Sequence, residues 1–107
     1  MWKPVTLDEL TKEINVAIPQ LTHEQLVFWQ QIKITPEKWE EKGYGDEGGG
    51  FWVVAVFGKK VIWYNDIEEG FNVSHYTVYG KIDEYGCEQD QLNRTINKIL
   101  SYTPTKF

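Results

Sequence analysis

Residues 51–57, Phe51-Trp52-Val53-Val54-Ala55-Val56-Phe57, decide how this chain folds. The run is built from β-branched and aromatic side chains and is the clearest strand in the sequence. Successive residues of a strand point to opposite faces, so Phe51, Val53, Ala55 and Phe57 share one side and Trp52, Val54 and Val56 the other. Both sides are apolar. A sheet with one face in water would alternate apolar and polar residues instead. Residues 51–57 are therefore expected at the centre of a sheet, with the second face covered by a helix or offered to a partner.

The elements on either side follow from this strand. Gly58-Lys59 can turn the chain, and Lys60-Val61-Ile62-Trp63-Tyr64 returns as the hairpin partner. Asn65 to Gly70 is a turn rich in Asn and Asp, followed by a fourth strand expected near Val73–Ile82. A final helix is expected from about Glu88 to Ser101, with Leu92, Ile96, Ile99 and Leu100 on one face. Upstream, Gly43–Gly50 holds five glycines and reads as a mobile loop. Ile32, Ile34 and the stretch through Trp39 form a first strand, placed at the sheet edge because Pro36 cannot donate to a ladder. Two helices precede it. Thr6 with Glu9 and Thr22 with Gln25 each match the capping box, and Pro19 separates the two helices. The order ααββββα predicts an α+β class. It comprises two N-terminal helices, a roughly four-stranded antiparallel sheet and one C-terminal helix, forming a single domain over residues 1–107.

Composition limits what such a domain does. Apolar residues make up 41% of the chain and aromatics 15%, ample material for a core. The longest apolar run, 51–57, is far short of the roughly 18–20 residues a membrane span needs. No basic-then-apolar leader opens the chain, and its one cysteine, Cys87, excludes a disulfide framework, so the cytoplasm is the expected compartment. In that compartment the sequons at Asn72 and Asn93 are chance matches. Net charge is −5, and residues 37–90 alone carry twelve acids against five lysines. Nucleic acid binding needs clustered positive charge, which this chain lacks. An acidic middle suits a basic protein surface, or simply keeps the chain soluble.

No side chain earns a catalytic, cofactor-binding or metal-binding assignment, and the chain is read as a non-enzyme. Ser74 and His75 are adjacent in a strand, point to opposite faces and cannot act as nucleophile and base. Cys87, just before the last helix, is expected to be a buried, inert thiol. Asp66, Glu68 and Glu69 are bunched rather than spaced like a calcium loop. The glycine loop lacks the Gly-x-x-x-x-Gly-Lys-Ser/Thr pattern of a phosphate cradle. Trp52, Trp63, Tyr64, Tyr76 and Tyr79 are expected to be mostly core, although aromatics also anchor interfaces.

Three segments carry a resemblance: Gly50-Phe-Trp-Val-Val-Ala-Val, Val61-Ile-Trp-Tyr-Asn-Asp-Ile-Glu-Glu-Gly-Phe-Asn and Gly80-Lys-Ile-Asp-Glu-Tyr-Gly-Cys. Over about residues 50–100 the chain resembles small bacterial proteins of the toxin-immunity type. That resemblance implies a stoichiometric binder that blocks a toxin, and it gives no residue a role.

The first functional reading is thus an interaction protein, and most concretely an immunity protein binding a basic toxin domain. Its expected partner-binding residues are Glu37, Glu40, Glu41, Asp46 and Glu47 before the central strand, and Asp66, Glu68 and Glu69 after its hairpin neighbour. A second reading is a small-molecule-binding or metabolic domain, its pocket between sheet and helices supplied with polar groups such as His75 and Tyr79. A third is a homodimer through an uncovered sheet face.

Overall fold

The computed structural model describes residues 3–102, apart from the side chains of Glu47 and Tyr102. Helix α1 spans Leu7–Ala17, a 3-10 turn follows at Ile18–Gln20, and α2 spans His23–Ile32. Strands β1 (Lys33–Trp39), β2 (Phe51–Phe57), β3 (Lys60–Asn65) and β4 (Gly70–His75) come next, and α3 (Leu92–Tyr102) closes the order. The four strands form one sheet in the order β1-β2-β3-β4, antiparallel at every pairing, so the fold is α+β. Among the described residues no helix is long and apolar enough to cross a membrane.

Both helix starts carry the capping boxes that the sequence spells. Thr6 Oγ1 accepts the Glu9 N–H at 3.1 Å while Glu9 accepts the Thr6 N–H at 2.9 Å. Thr22 and Gln25 repeat the exchange at 3.2 and 2.9 Å. Each box satisfies backbone donors that the first helical turn leaves open. Pro19 lies in the 3-10 turn, where α1 gives way. The side-chain amide of Gln25 also donates to Asn97 Oδ1 at 2.8 Å, tying α2 to α3.

Strand β2 is interior, flanked by β1 and β3, and β1 with Pro36 lies at the edge as expected. A register shift between Val53 and Ala55 lets three consecutive residues be buried, Val53 toward one core and Val54 and Ala55 toward the other. On one side of the sheet, Leu10, Trp29, Ile32, Leu92, Ile96 and Ile99 from the three helices pack on Val54, Ile62 and Phe71. On the other, Trp39, Phe51, Val53, Val61 and Trp63 form a second core with Tyr76 and Ile82.

That second face is the main departure from the sequence reading. It is covered not by a helix but by Tyr76, Ile82 and Tyr85 of residues 76–91, a long irregular segment. The fourth strand accordingly ends at His75 instead of running to Ile82. Beyond it the Tyr76 N–H bonds Lys59 O at 2.9 Å, and Lys81 N–H closes a turn on Val78 O at 3.0 Å. Ile82 then extends the β1 edge by donating to Glu40 O at 2.8 Å.

Helix α3 starts at Leu92, four residues later than expected, because residues 86–90 are committed to the sheet. Asn65 Nδ2 bonds Gly86 O at 2.7 Å, Asn72 bonds Glu88 twice, and the Phe71 N–H bonds Asp90 O at 2.9 Å. Backbone groups spent on a strand edge are unavailable to a helix. The close approach requires glycine at position 70, where a Cβ would stand 2.3 Å from Gln89 Cα. The glycine loop is likewise held in place. The Gly50 N–H bonds Gly45 O at 2.7 Å and Lys38 Nζ bonds Gly48 O at 2.8 Å around the 3-10 turn Asp46–Gly48.

Candidate functional site

Strand order and register bring the two acidic segments to one end of the sheet. Trp39 pairs with Phe51, Trp52 with Tyr64 and Asn65 with Gly70, so the 40–50 loop and the 66–69 turn leave the same end.

The eight acids do not share one fate there. Glu41 is 6% exposed, and its Oε1 accepts the backbone N–H groups of Tyr44 at 3.1 Å and Gly45 at 3.0 Å. Asp66 is buried and accepts the Val5 N–H at 2.8 Å, fastening the start of the chain to the β3–β4 turn. These two carboxylates are buried against backbone donors and hold loops in place. Asp46 is exposed and accepts the Gly43 N–H at 3.2 Å. Glu37 is exposed on β1 and accepts from Trp39 Nε1 at 3.2 Å and from the Tyr79 hydroxyl at 3.0 Å. Glu40 is exposed beside Lys81 at 3.9 Å, a surface pair of little energetic weight. Glu68 is half-buried and Glu69 exposed, the latter with φ +60°. The side chain of Glu47 lies outside the described residues.

Two tyrosines absent from the expected aromatic set define the centre of this end. Tyr44 stacks on Tyr85 with ring centroids 4.1 Å apart and planes at 25°. Tyr85 in turn lies against Phe51 and Trp63, at 6.1 and 6.0 Å, so it belongs to the second core. Burial pushes the Tyr85 phenol above its ordinary range, and the Glu68 charge adds to the effect. Tyr44 is the outer member, 59% exposed. The only sequence signal for either is glycine beside an aromatic, Gly43-Tyr44-Gly45 and Tyr85-Gly86. Tyr79, expected to be mostly core, is also 59% exposed and lies tilted on Trp39 at 4.6 Å.

Ser74, His75 and Cys87 line one open pocket of about 420 Å³, but they are not hydrogen-bonded to one another. Ser74 is buried, accepting from Trp63 Nε1 and donating to Glu84 O, both at 2.9 Å. His75 is exposed on the opposite face, its Nδ1 3.1 Å from Asp83 Oδ2. That contact, with the Thr77 hydroxyl, holds the Asp83 carboxyl below its usual range. Cys87 is exposed, contrary to the buried thiol expected, because the segment that carries it runs along the β4 edge before α3 begins. Among the described residues no hydrogen bond joins His75 to Cys87, and no group of three His, Cys, Asp or Glu side chains is placed to hold a metal ion. The Asn72 sequon is 1% exposed and its side chain is spent on Glu88.

A cavity of about 320 Å³ lies between α1, the start of β4 and the start of α3. It is a pocket between sheet and helices, but His75 and Tyr79 are not among its lining residues; Glu13, Tyr64 and Glu69 are. No protein-family model, curated protein or solved structure matches this chain.

Proposed function

We propose that this chain is a stoichiometric interaction protein that meets a basic protein partner at the sheet end bearing Tyr44 and Tyr85, and that it serves as an immunity protein neutralising a toxin. The observation that carries the reading is the exposed Tyr44 ring seated on Tyr85, between loops that present Glu40, Asp46 and Glu68. A rigid aromatic backed by a packed core anchors a complex at low entropic cost, while surrounding acids steer a basic partner toward it. The acids act from the rim, and Glu41 and Asp66 serve the surface indirectly by holding its loops. The resemblance of residues 50–100 to toxin-immunity proteins supports a toxin as the partner.

The test uses the wild-type chain and a Tyr44→Ala/Glu68→Lys variant as baits in lysate of the native host. A basic protein retained by the first and lost by the second supports the surface. Expressed alone, that protein should arrest growth, and co-expression of this chain should relieve the arrest. Equal retention by both baits overturns the surface; unaffected growth overturns the immunity role.

A further inference from the structure

The 320 Å³ cavity is within the size range of small-molecule sites, and the reading above does not use it. Glu13, Val16 and Ala17 of α1, with Gln20 of the 3-10 turn that follows it, form one wall. Val16 leaves 70% of its surface exposed there. Tyr64 and Phe71 contribute an aromatic floor, their rings edge-on with centroids 5.0 Å apart. Aromatic faces attract cations.

The charged residues that line the cavity, Glu13, Glu69 and Asp90, are all acidic. Glu13 and Glu69 are exposed and line the cavity, and among the described residues neither makes a side-chain hydrogen bond or an ion pair. Asp90 also lines the cavity, but Lys98 at 2.6 Å and Arg94 at 3.6 Å already answer its charge. Burial first, and then the charges of Glu13 and Glu69, push the Tyr64 phenol up to about 12. The α1 C-terminal turn carries no basic residue to offset the negative end of the helix dipole. The amide end of α3 borders the cavity through Leu92 and Asn93, so a cationic group belongs on the Glu13 and Glu69 side.

We infer that this cavity binds an organic cation, an ammonium or guanidinium group on a short aliphatic chain, held between Glu13 and Glu69 over the ring of Tyr64. Such a group comes either as a free amine or as the lysine or arginine side chain of a protein. The site stands on the cavity and its charges, independently of the Tyr44 surface.

Calorimetric titration of the full chain at low salt tests it, with agmatine and cadaverine as probes and 1-pentanol as the uncharged control. Saturable binding of the cations but not of the alcohol is expected. Glu13→Gln and Glu69→Gln should each weaken binding about fivefold, as expected for losing one partly exposed charge pair. Both side chains are exposed, so these variants should keep the wild-type melting profile, which circular dichroism verifies. Agmatine, whose guanidinium stays charged in strong base, should bring the Tyr64 titration below about 12. Competition with end-blocked peptides bearing one lysine or arginine distinguishes the sources. A tighter peptide assigns the cavity to a partner's side chain, and a tighter free amine to a small molecule. No saturable cation binding, or binding unchanged in both glutamine variants, overturns the inference.

Discussion

The side-chain amide of Asn72 and the backbone of Glu88 form a reciprocal pair: Asn72 Nδ2 donates to Glu88 O and Asn72 Oδ1 accepts the Glu88 N–H, both at 2.9 Å. A side chain thus does at this point of the β4 edge what a neighbouring strand would do. Removing it strands two backbone groups. Asn72→Ala should cost about 2 kcal/mol, read as a lower urea midpoint at unchanged slope. Asn72→Asp should cost more at neutral pH, because it loses the donor and buries a charge.

Two neighbouring glycines separate steric clash from backbone strain. Gly50 has φ +103°, and a Cβ there would stand 2.2 Å from Trp39 O; Gly49 has φ +75° and open space around it. Gly49→Ala should therefore cost about 1 kcal/mol for the left-handed conformation alone. Gly50→Ala must also move the β1 backbone and should cost about 3 kcal/mol or more. Equal thermal shifts in the two variants would contradict the close approach of residue 50 to Trp39.

Glu41 and Glu40 are adjacent acids with opposite expected behaviour. Glu41→Ala removes the acceptor for two loop amides, so amide exchange at Tyr44 and Gly45 should accelerate and stability fall by about 2 kcal/mol. Glu40→Ala breaks only an exposed contact with Lys81, and should stay within about 0.5 kcal/mol of wild type.

Tyr64 makes stability depend on pH in the alkaline range. Its folded value is raised from 10.0 to about 12, mainly by burial. Between these values the unfolded chain has released a proton that the folded chain keeps, so stability falls as pH rises through the window and is unaffected below it. Denaturation from about pH 9 to about pH 12 should show a decline that Tyr64→Phe reduces. Absorbance of the phenolate should place one tyrosine near the top of that range.

Charge reversal at Glu68 and Glu69 tests the steering role of the acidic rim. With the partner recovered through the Tyr44 surface, the double lysine variant should associate more slowly and with weaker salt dependence. Tyr44→Ala should instead accelerate dissociation, by about 2 kcal/mol if the ring is an anchor. Stopped-flow mixing at two ionic strengths separates the two effects. An unchanged on-rate in the reversal variant would move the interface away from the 66–69 turn.

What the sequence by itself determined is local. Thr6 with Glu9 and Thr22 with Gln25 bond across three residues, so their pattern is complete within one helical turn. The hairpin over 51–64 and the central position of β2 follow from apolarity on both faces, readable within one stretch. The side-chain period does not hold there: the irregularity between Val53 and Ala55 puts Ala55 with Val54 and Val56 with Val53, opposite to the expected faces. What only the tertiary structure decided depends on partners far along the chain. Asp66 looks like a solvated turn acid until the Val5 N–H, 61 residues away, is placed against it. Residues 76–91 lack a helical or strand period because their backbone groups and aromatic rings are matched to β1, β4 and the second core rather than to one another. The Tyr44–Tyr85 stack and the cavity beside Tyr64 arise in the same way, from packing between segments whose contacts no local pattern encodes.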